Sequence, residues 1–451
     1  MSQPFEQRKD HVTKGSGKRT VAILFLAQIF FSLFTLGWVF GRENVLAIGH
    51  GMSLDGLRNY FLLMAIMVGL AISLSRTKQI IFSREVAAIA VFTLFAISTS
   101  LYALNTGYAI RDSVKLAYPL FIYTVARSMF KDRSTILALL SGVYYILGGL
   151  VLLTAGFTAM ALVMGRYDLE GSGRSPVRIT DLPDIYSLSS GPIVLFILLA
   201  LGRIIYLKKG LFGSAAVSMI AATLVIITIT RSYIIGLVMA VASMLWTIAR
   251  GGLLYLALGI SLMYSLTIFI VTKVEILSQR MFWHPESVSF WGVFLRPAIL
   301  LDENWVRSNG RNSVWSYMIS ELHSRATAIL GGGIGSTKYI LQGGEIFKGT
   351  TVAHGDYAKY FAELGYMGIA LFILMIIFVM GSLYRRIRLN KTNEAKFFNG
   401  VLLSAFVYNI TACYGYEVFG NGFEYMSLLL LLFALRDNLA DVNARGIREM
   451  N

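Results

Sequence analysis

Hydrophobic and polar positions along this chain come in blocks and do not alternate. Apolar runs of about 20 residues, the length at which a helix crosses roughly 30 Å of hydrocarbon, are separated by short stretches of charged, glycine or asparagine residues. Flanking charges mark about twelve such runs: residues 21–40, 60–74, 86–104, 114–126, 136–160, 191–206, 213–229, 233–249, 253–271, 360–383, 398–414 and 422–435. The pattern predicts an all-α polytopic membrane protein. Segment 1–20 reads as a polar N-terminal tail, 21–271 as spans one to nine, 272–359 as a large, partly helical loop, 360–435 as spans ten to twelve and 436–451 as a C-terminal tail. The first run lacks a small-residue cleavage site at its end and reads as a retained span.

Composition agrees with the blocks. The chain is 56% hydrophobic and 14% charged, with a mean hydropathy of +0.65, which leaves too little polar surface to cover a fold in water. An even number of spans places both termini on one side. Arg8, Lys9, Lys14, Lys18 and Arg19 before the first run, and Arg385, Arg386, Arg388, Lys391 and Lys396 in a late loop, make that side cytoplasmic. With this topology the inner face carries the whole formal charge of +15 and the outer face balances. Topogenic bias therefore accounts for the charge, and no nucleic-acid partner is expected. The single cysteine, Cys413, excludes a disulfide within the chain.

Three outer segments exceed what a connection requires: 41–59, 163–190 and above all 272–359. The last contains Trp283, Trp291, Trp305 and Trp315, a composition that predicts order. Soluble catalytic motifs are missing: there is no Walker loop, H-E-x-x-H, C-x-x-C pair or G-x-S-x-G, so ATP hydrolysis by this chain is not expected. Gly331-Gly332-Gly333-Ile334-Gly335 superficially suggests a phosphate loop, but it stands outside any strand–helix unit and reads as a flexible turn. The acidic near-pair Asp181 and Asp184 has no histidine beside it, and neither a metal site nor a cofactor is expected.

Three residues stand where chemistry is plausible. Arg231 interrupts two apolar runs in Thr230-Arg231-Ser232, where a guanidinium at membrane depth needs an anionic partner. It is either a stop or an ion pair between spans, or a clamp for phosphate oxygens. Arg311 stands at the start of a predicted amphipathic helix with Trp315, Met318, Ile319 and Leu322 at helical spacing. It is a solvated surface arginine or, with the free N–H groups of a helix start, part of an anion site. His354 precedes the helix that returns the chain to the membrane. The helix dipole disfavours an imidazolium there, so it is a neutral base or else an interfacial or capping residue. Asp356 either orients His354 or caps the helix.

His354, Gly355, Glu363, Gly365 and Gly368, in H-G-D-Y-A-K-Y-F-A-E-L-G-Y-M-G, resemble the H-N-x-x-L-x-x-x-x-E-x-G-x-x-G signature of the O-antigen ligase and polymerase superfamily. Thr230-Arg231-Ser232 resembles its S-R-G turn, and Arg311, Trp315 and the glycine run resemble its R-x-x-x-W and G-x-G elements. Gly355, Ala358 and Ser232 depart from the family's asparagine, leucine and glycine, and the first half of the chain agrees in topology alone. The resemblance implies a metal-independent, inverting glycosyl transfer from an undecaprenyl-diphosphate-linked glycan, on the periplasmic face of a bacterial inner membrane. His354 is then the base, Arg231 and Arg311 stabilise the departing diphosphate, and Asp356 and Glu363 support them. Polysaccharide-assembly proteins are expected partners. The same residues serve a polymerase, which extends a glycan on its carrier, or a ligase, which delivers it to lipid A core or another acceptor. A lipid-linked oligosaccharide flippase or polysaccharide transporter is the rival class, and it calls for functional charges in mid-span.

Overall fold

The computed structural model describes residues 82–163, 190–227, 231–248, 265, 268–269, 272–273, 282, 284–296, 311–325, 328–343, 355–390, 392–413 and 423–450. Spans one and two, nearly all of span nine, segment 164–189 with Asp181 and Asp184, and His354 lie outside the described residues.

Among the described residues the elements are helices, with no β-strand. They are α1 (Arg84–Ser98) continued by a 3-10 turn (Thr99–Tyr102), α2 (Thr106–Met129), α3 (Arg133–Val163), α4 (Ser190–Ile205), α5 (Leu211–Ile227) and α6 (Arg231–Ile248). The long loop contributes a 3-10 turn (Pro285–Ser287), α7 (Phe290–Leu295), α8 (Arg311–Arg325) and α9 (Ser336–Gly343). α10 (Asp356–Leu389), α11 (Asn393–Ala412) and α12 (Phe423–Met450) complete the chain. The large loop is thus partly helical, as its sequence predicts.

Among the described residues three helices are long and apolar enough to cross a membrane: Arg84–Tyr102, Arg133–Met160 and Asp356–Leu389; Gly191–Ile205, Leu211–Val225 and Ser232–Thr247 are shorter apolar helices. Along α10, Phe372, Met375, Ile376 and Val379 are buried while Ile373, Leu374, Ile377 and Phe378 are exposed. A helix apolar all the way round needs an apolar solvent on its outer side, which is consistent with a membrane protein.

Local chemistry sets the helix ends. The Asn105 side chain accepts from the Tyr108 N–H at 3.0 Å to open α2, and the Thr392 side chain accepts from Ala395 N–H at 3.3 Å to open α11. The sequence expectation starts the tenth span at residue 360. The helix instead begins at Asp356 and breaks at Gly365 (φ 64, ψ −164), so its apolar stretch beyond the break is a separate segment from 356–364. Only glycine adopts that backbone conformation without strain. The last predicted tail is also structured: α12 runs on through Met450.

Contacts fix the register of the helices. α6 runs antiparallel to α11: Gly236 lies against the Tyr408 ring, and Ser243 Oγ donates to Ser404 Oγ at 2.8 Å. α2 and α12 run side by side in the same direction, with Tyr123 OH donating to Asp437 Oδ2 at 2.9 Å and Arg127 pairing with Asp441 at 2.6 Å. At this end of the bundle Glu85, fully buried, accepts from Arg386 Nε at 2.6 Å and Arg436 Nη2 at 3.2 Å. Arg133–Glu394 closes the same end at 2.7 Å. The site with candidate chemistry lies at the opposite end.

Candidate functional site

Two helix starts and one helix end lie at that opposite end. α6 opens with Arg231 and α11 closes before Cys413. Because Gly236 and Tyr408 face each other in an antiparallel pair, Arg231 and Cys413 both stand about 7–8 Å beyond that contact, at a rise of about 1.5 Å per residue. α10 joins them there: Asp356 N–H donates to Cys413 O at 2.9 Å, and the Cys413 thiol donates to Asp356 Oδ2 at 3.2 Å. Gly355, the neighbour of His354 in sequence, is the N-cap of α10.

The helix that begins at Arg311 packs onto the same segment. Val314, Met318 and Leu322 of α8 bury one face against Ala362 of α10 and Ile340 and Leu341 of α9, with Trp315, Ile319 and Ala358 alongside. His323 Nε2 lies 3.3 Å from Phe361 O. The amphipathic spacing read from the sequence is the spacing that packs. Arg231 and Arg311 are described as the first residues of their helices.

The glycine run corrects its reading as a flexible turn. Residues 331–338 are all buried. Gly332 N–H donates to Ala362 O at 3.1 Å and Gly333 N–H to Glu363 O at 2.7 Å. Ile334 N–H donates to Thr99 Oγ1 at 3.0 Å, and Ser336 N–H to Gly333 O at 3.3 Å. Amides already committed to internal acceptors are not a phosphate cradle. Gly331 (φ 69) presses against the α10 break so closely that an added Cβ would stand 2.5 Å from Gly365 N. The run is a wedge between the α1–α2 turn and the kinked start of α10.

Charges absent from the sequence-predicted set surround that wedge. Asp112 of α2 accepts from Lys338 of α9 at 2.7 and 3.0 Å and from Lys359 of α10 at 3.2 Å. All three side chains are at most 5% exposed. Asp112 stands ahead of the apolar run 114–126. Burial works against its charge, but the Lys359 and then the Lys338 ammonium outweigh it and hold the carboxyl well below the usual carboxylate range. Glu363, fully buried, accepts from Thr337 N–H at 3.2 Å and from the Thr337 hydroxyl at 2.5 Å. Asp356, the acidic residue of the first turn of α10, is buried too.

Sequence reasoning missed Asp112, Thr337, Lys338 and Lys359. The available signal was positional: each lies beside an apolar run or the glycine run on the side predicted to be outside, where the charges balance. Among the described residues, no group of three or more His, Cys, Asp or Glu side chains is placed to hold a metal ion. No protein-family model matches the chain, and no curated protein matches it in a sequence comparison.

Proposed function

We propose that this chain is a membrane glycosyltransferase with about twelve spans and both termini in the cytoplasm. It transfers a glycan from an undecaprenyl-diphosphate carrier to an acceptor sugar hydroxyl at the periplasmic face of a bacterial inner membrane, as an O-antigen or exopolysaccharide polymerase. The observation that carries the reading is that α6 opens at Arg231 and α10 opens one residue after Gly355 at one end of the bundle, while α8, which opens at Arg311, packs through Val314, Met318 and Leu322 against that first segment of α10.

In the proposed step the acceptor hydroxyl oxygen bonds to the anomeric carbon of the donor as the bond from that carbon to the diphosphate oxygen breaks. The electron pair of that bond leaves with the lipid diphosphate, and the hydroxyl proton passes to His354. Arg231 and Arg311 stabilise the charge that grows on the diphosphate. Two guanidiniums with forked donors supply what this leaving group requires, and no nucleotide is consumed.

A flippase or transporter would need charged groups part-way across the bilayer. The buried charged residues described here gather instead at the two ends of the bundle: Asp112, Lys338, Asp356, Lys359 and Glu363 at one, Glu85, Arg436 and Asp437 at the other. That distribution favours the transferase.

The test is His354→Ala in cells that make the glycan. Loss of polymer, accumulation of single lipid-linked repeat units and normal membrane insertion are expected. Polymer of normal length from that variant would remove the proposed base.

A further inference from the structure

The break at Gly365 separates residues 356–364 from the apolar stretch of α10 that follows. A short segment beyond such a break does not inherit its direction from the rest of the helix, because the continuous hydrogen-bond ladder that makes a helix stiff is interrupted there. Something outside the helix must therefore set where it points, and His354 stands two positions before its first residue in sequence.

Side-chain ties supply that constraint, and they come from three elements. Lys359 Nζ donates to Asp112 Oδ2 at 3.2 Å, which links the segment to α2. Lys338 Nζ donates to both oxygens of the same carboxylate, which links α9 to α2. Glu363 takes both donors of Thr337, which links the segment directly to α9. At the segment's first turn, Tyr357 OH donates to Ile410 O at 3.1 Å, beside the Asp356–Cys413 contacts. Asp112 is the hub, since its carboxylate accepts from both lysines.

We propose that Asp112 is a positioning residue: by holding Lys338 and Lys359 on one buried carboxylate it fixes the kinked first segment of α10 against the glycine wedge, and so sets how His354 is presented to the acceptor. This rests on the transferase reading for its catalytic consequence, but the clamp itself does not. Bulk stability alone does not call for an ionic hub at this place. Buried ion clusters are often replaceable by apolar side chains of similar volume without loss of stability, whereas directed donors and acceptors fix orientation.

The experiment compares the full-length wild type with Asp112→Asn and Lys338→Gln in detergent or nanodiscs, using amide hydrogen exchange and transfer kinetics. The clamp predicts that exchange within 336–343 and 356–364 rises at least tenfold in Asp112→Asn, while exchange in α11 and α12 stays at the wild-type rate. It also predicts that kcat with a lipid-linked repeat unit falls at least 30-fold with KM changed less than threefold. Lys338→Gln, which leaves the Lys359 contact in place, gives the same pattern at smaller amplitude. Unchanged exchange in 356–364, or a uniform rise through every helix, overturns the clamp. If Asp112→Asn does not insert, Lys338→Gln decides between the same two outcomes. The exchange result stands whether or not the wild type transfers glycan, so a failure of the enzymatic reading is distinguishable from a failure of the clamp.

Discussion

Lys338 and Asp112 are 226 positions apart in the chain and 2.7 Å apart in the fold. That ion pair joins the loop helix following the glycine run to the first part of α2, and Lys359 completes it from α10. A buried carboxylate between two ammoniums is held ionised by its neighbours, with a consequence for the pH dependence of the fold.

The carboxyl of Asp112 lies well below its ordinary value of about 3.9 in the folded chain. A depressed folded value means that the stabilisation is fully present above the unfolded value and is lost progressively as pH falls from the unfolded value towards the folded one. The difference in melting temperature between wild type and Asp112→Asn should therefore be constant from pH 8 to pH 5 and shrink only below about pH 4. A difference that narrows between pH 8 and pH 6 would show that the carboxyl is not held ionised.

Arg231→Lys is expected to insert and fold, and to lose most activity, because an ammonium keeps the charge but not the two parallel donors that match a diphosphate. A fall of roughly tenfold to a hundredfold in kcat/KM corresponds to about 1.4–2.7 kcal/mol of transition-state stabilisation. Transfer assays with a lipid-linked donor measure it. Full activity would mark Arg231 as a structural element of the turn between α5 and α6.

Gly365→Ala places a Cβ against the backbone of Ala328 and Ile329, at a φ of 64° and ψ of −164°. Backbone strain of this kind costs about 1–3 kcal/mol, and neighbouring backbone cannot move aside as a flexible side chain would. The variant should show a lower melting temperature in detergent and faster exchange in 328–335. Gly381, with open space around its added Cβ, is the control: Gly381→Ala should melt at or above the wild-type temperature.

Glu85→Ala addresses the opposite end. It leaves the buried Arg436 with Asp437 and without its second carboxylate, and removing one partner from a buried ion network costs on the order of 3–5 kcal/mol. Lower yield and a lower melting temperature are expected, with kcat of the surviving protein unchanged, since the site lies at the other end of the bundle. A selective loss of kcat would show that the two ends are coupled.

Much of the architecture is legible in the residues themselves. The runs 136–160, 191–206 and 213–229 anticipate α3, α4 and α5 closely, and Met318 and Leu322 identify the packed face of α8. Each of these depends on near neighbours in sequence: an apolar stretch flanked by charges, or a repeat close to 3.6 residues. The glycine run fails for a related reason. Gly331 to Gly335 carries the composition of a loose turn, and nothing near it in sequence reveals that Thr99, Ala362 and Glu363 take up its amides. The candidate site divides in the same way. Arg231, Arg311 and Asp356 stand out by local context and Glu363 by the resemblance, whereas Asp112, Lys338 and Lys359 carry no signature until they are seen together.

The sequence alone determined that this chain builds apolar helices and where several of them begin, because a backbone among hydrocarbon must satisfy its hydrogen bonds within the segment itself. Only the tertiary structure decided which buried charges share a carboxylate, that the glycines form a wedge, and that α10 breaks where the wedge meets it. Those outcomes depend on segments more than 200 positions apart arriving at one place, and the free energy of such a meeting belongs to the packed assembly and to none of the segments separately.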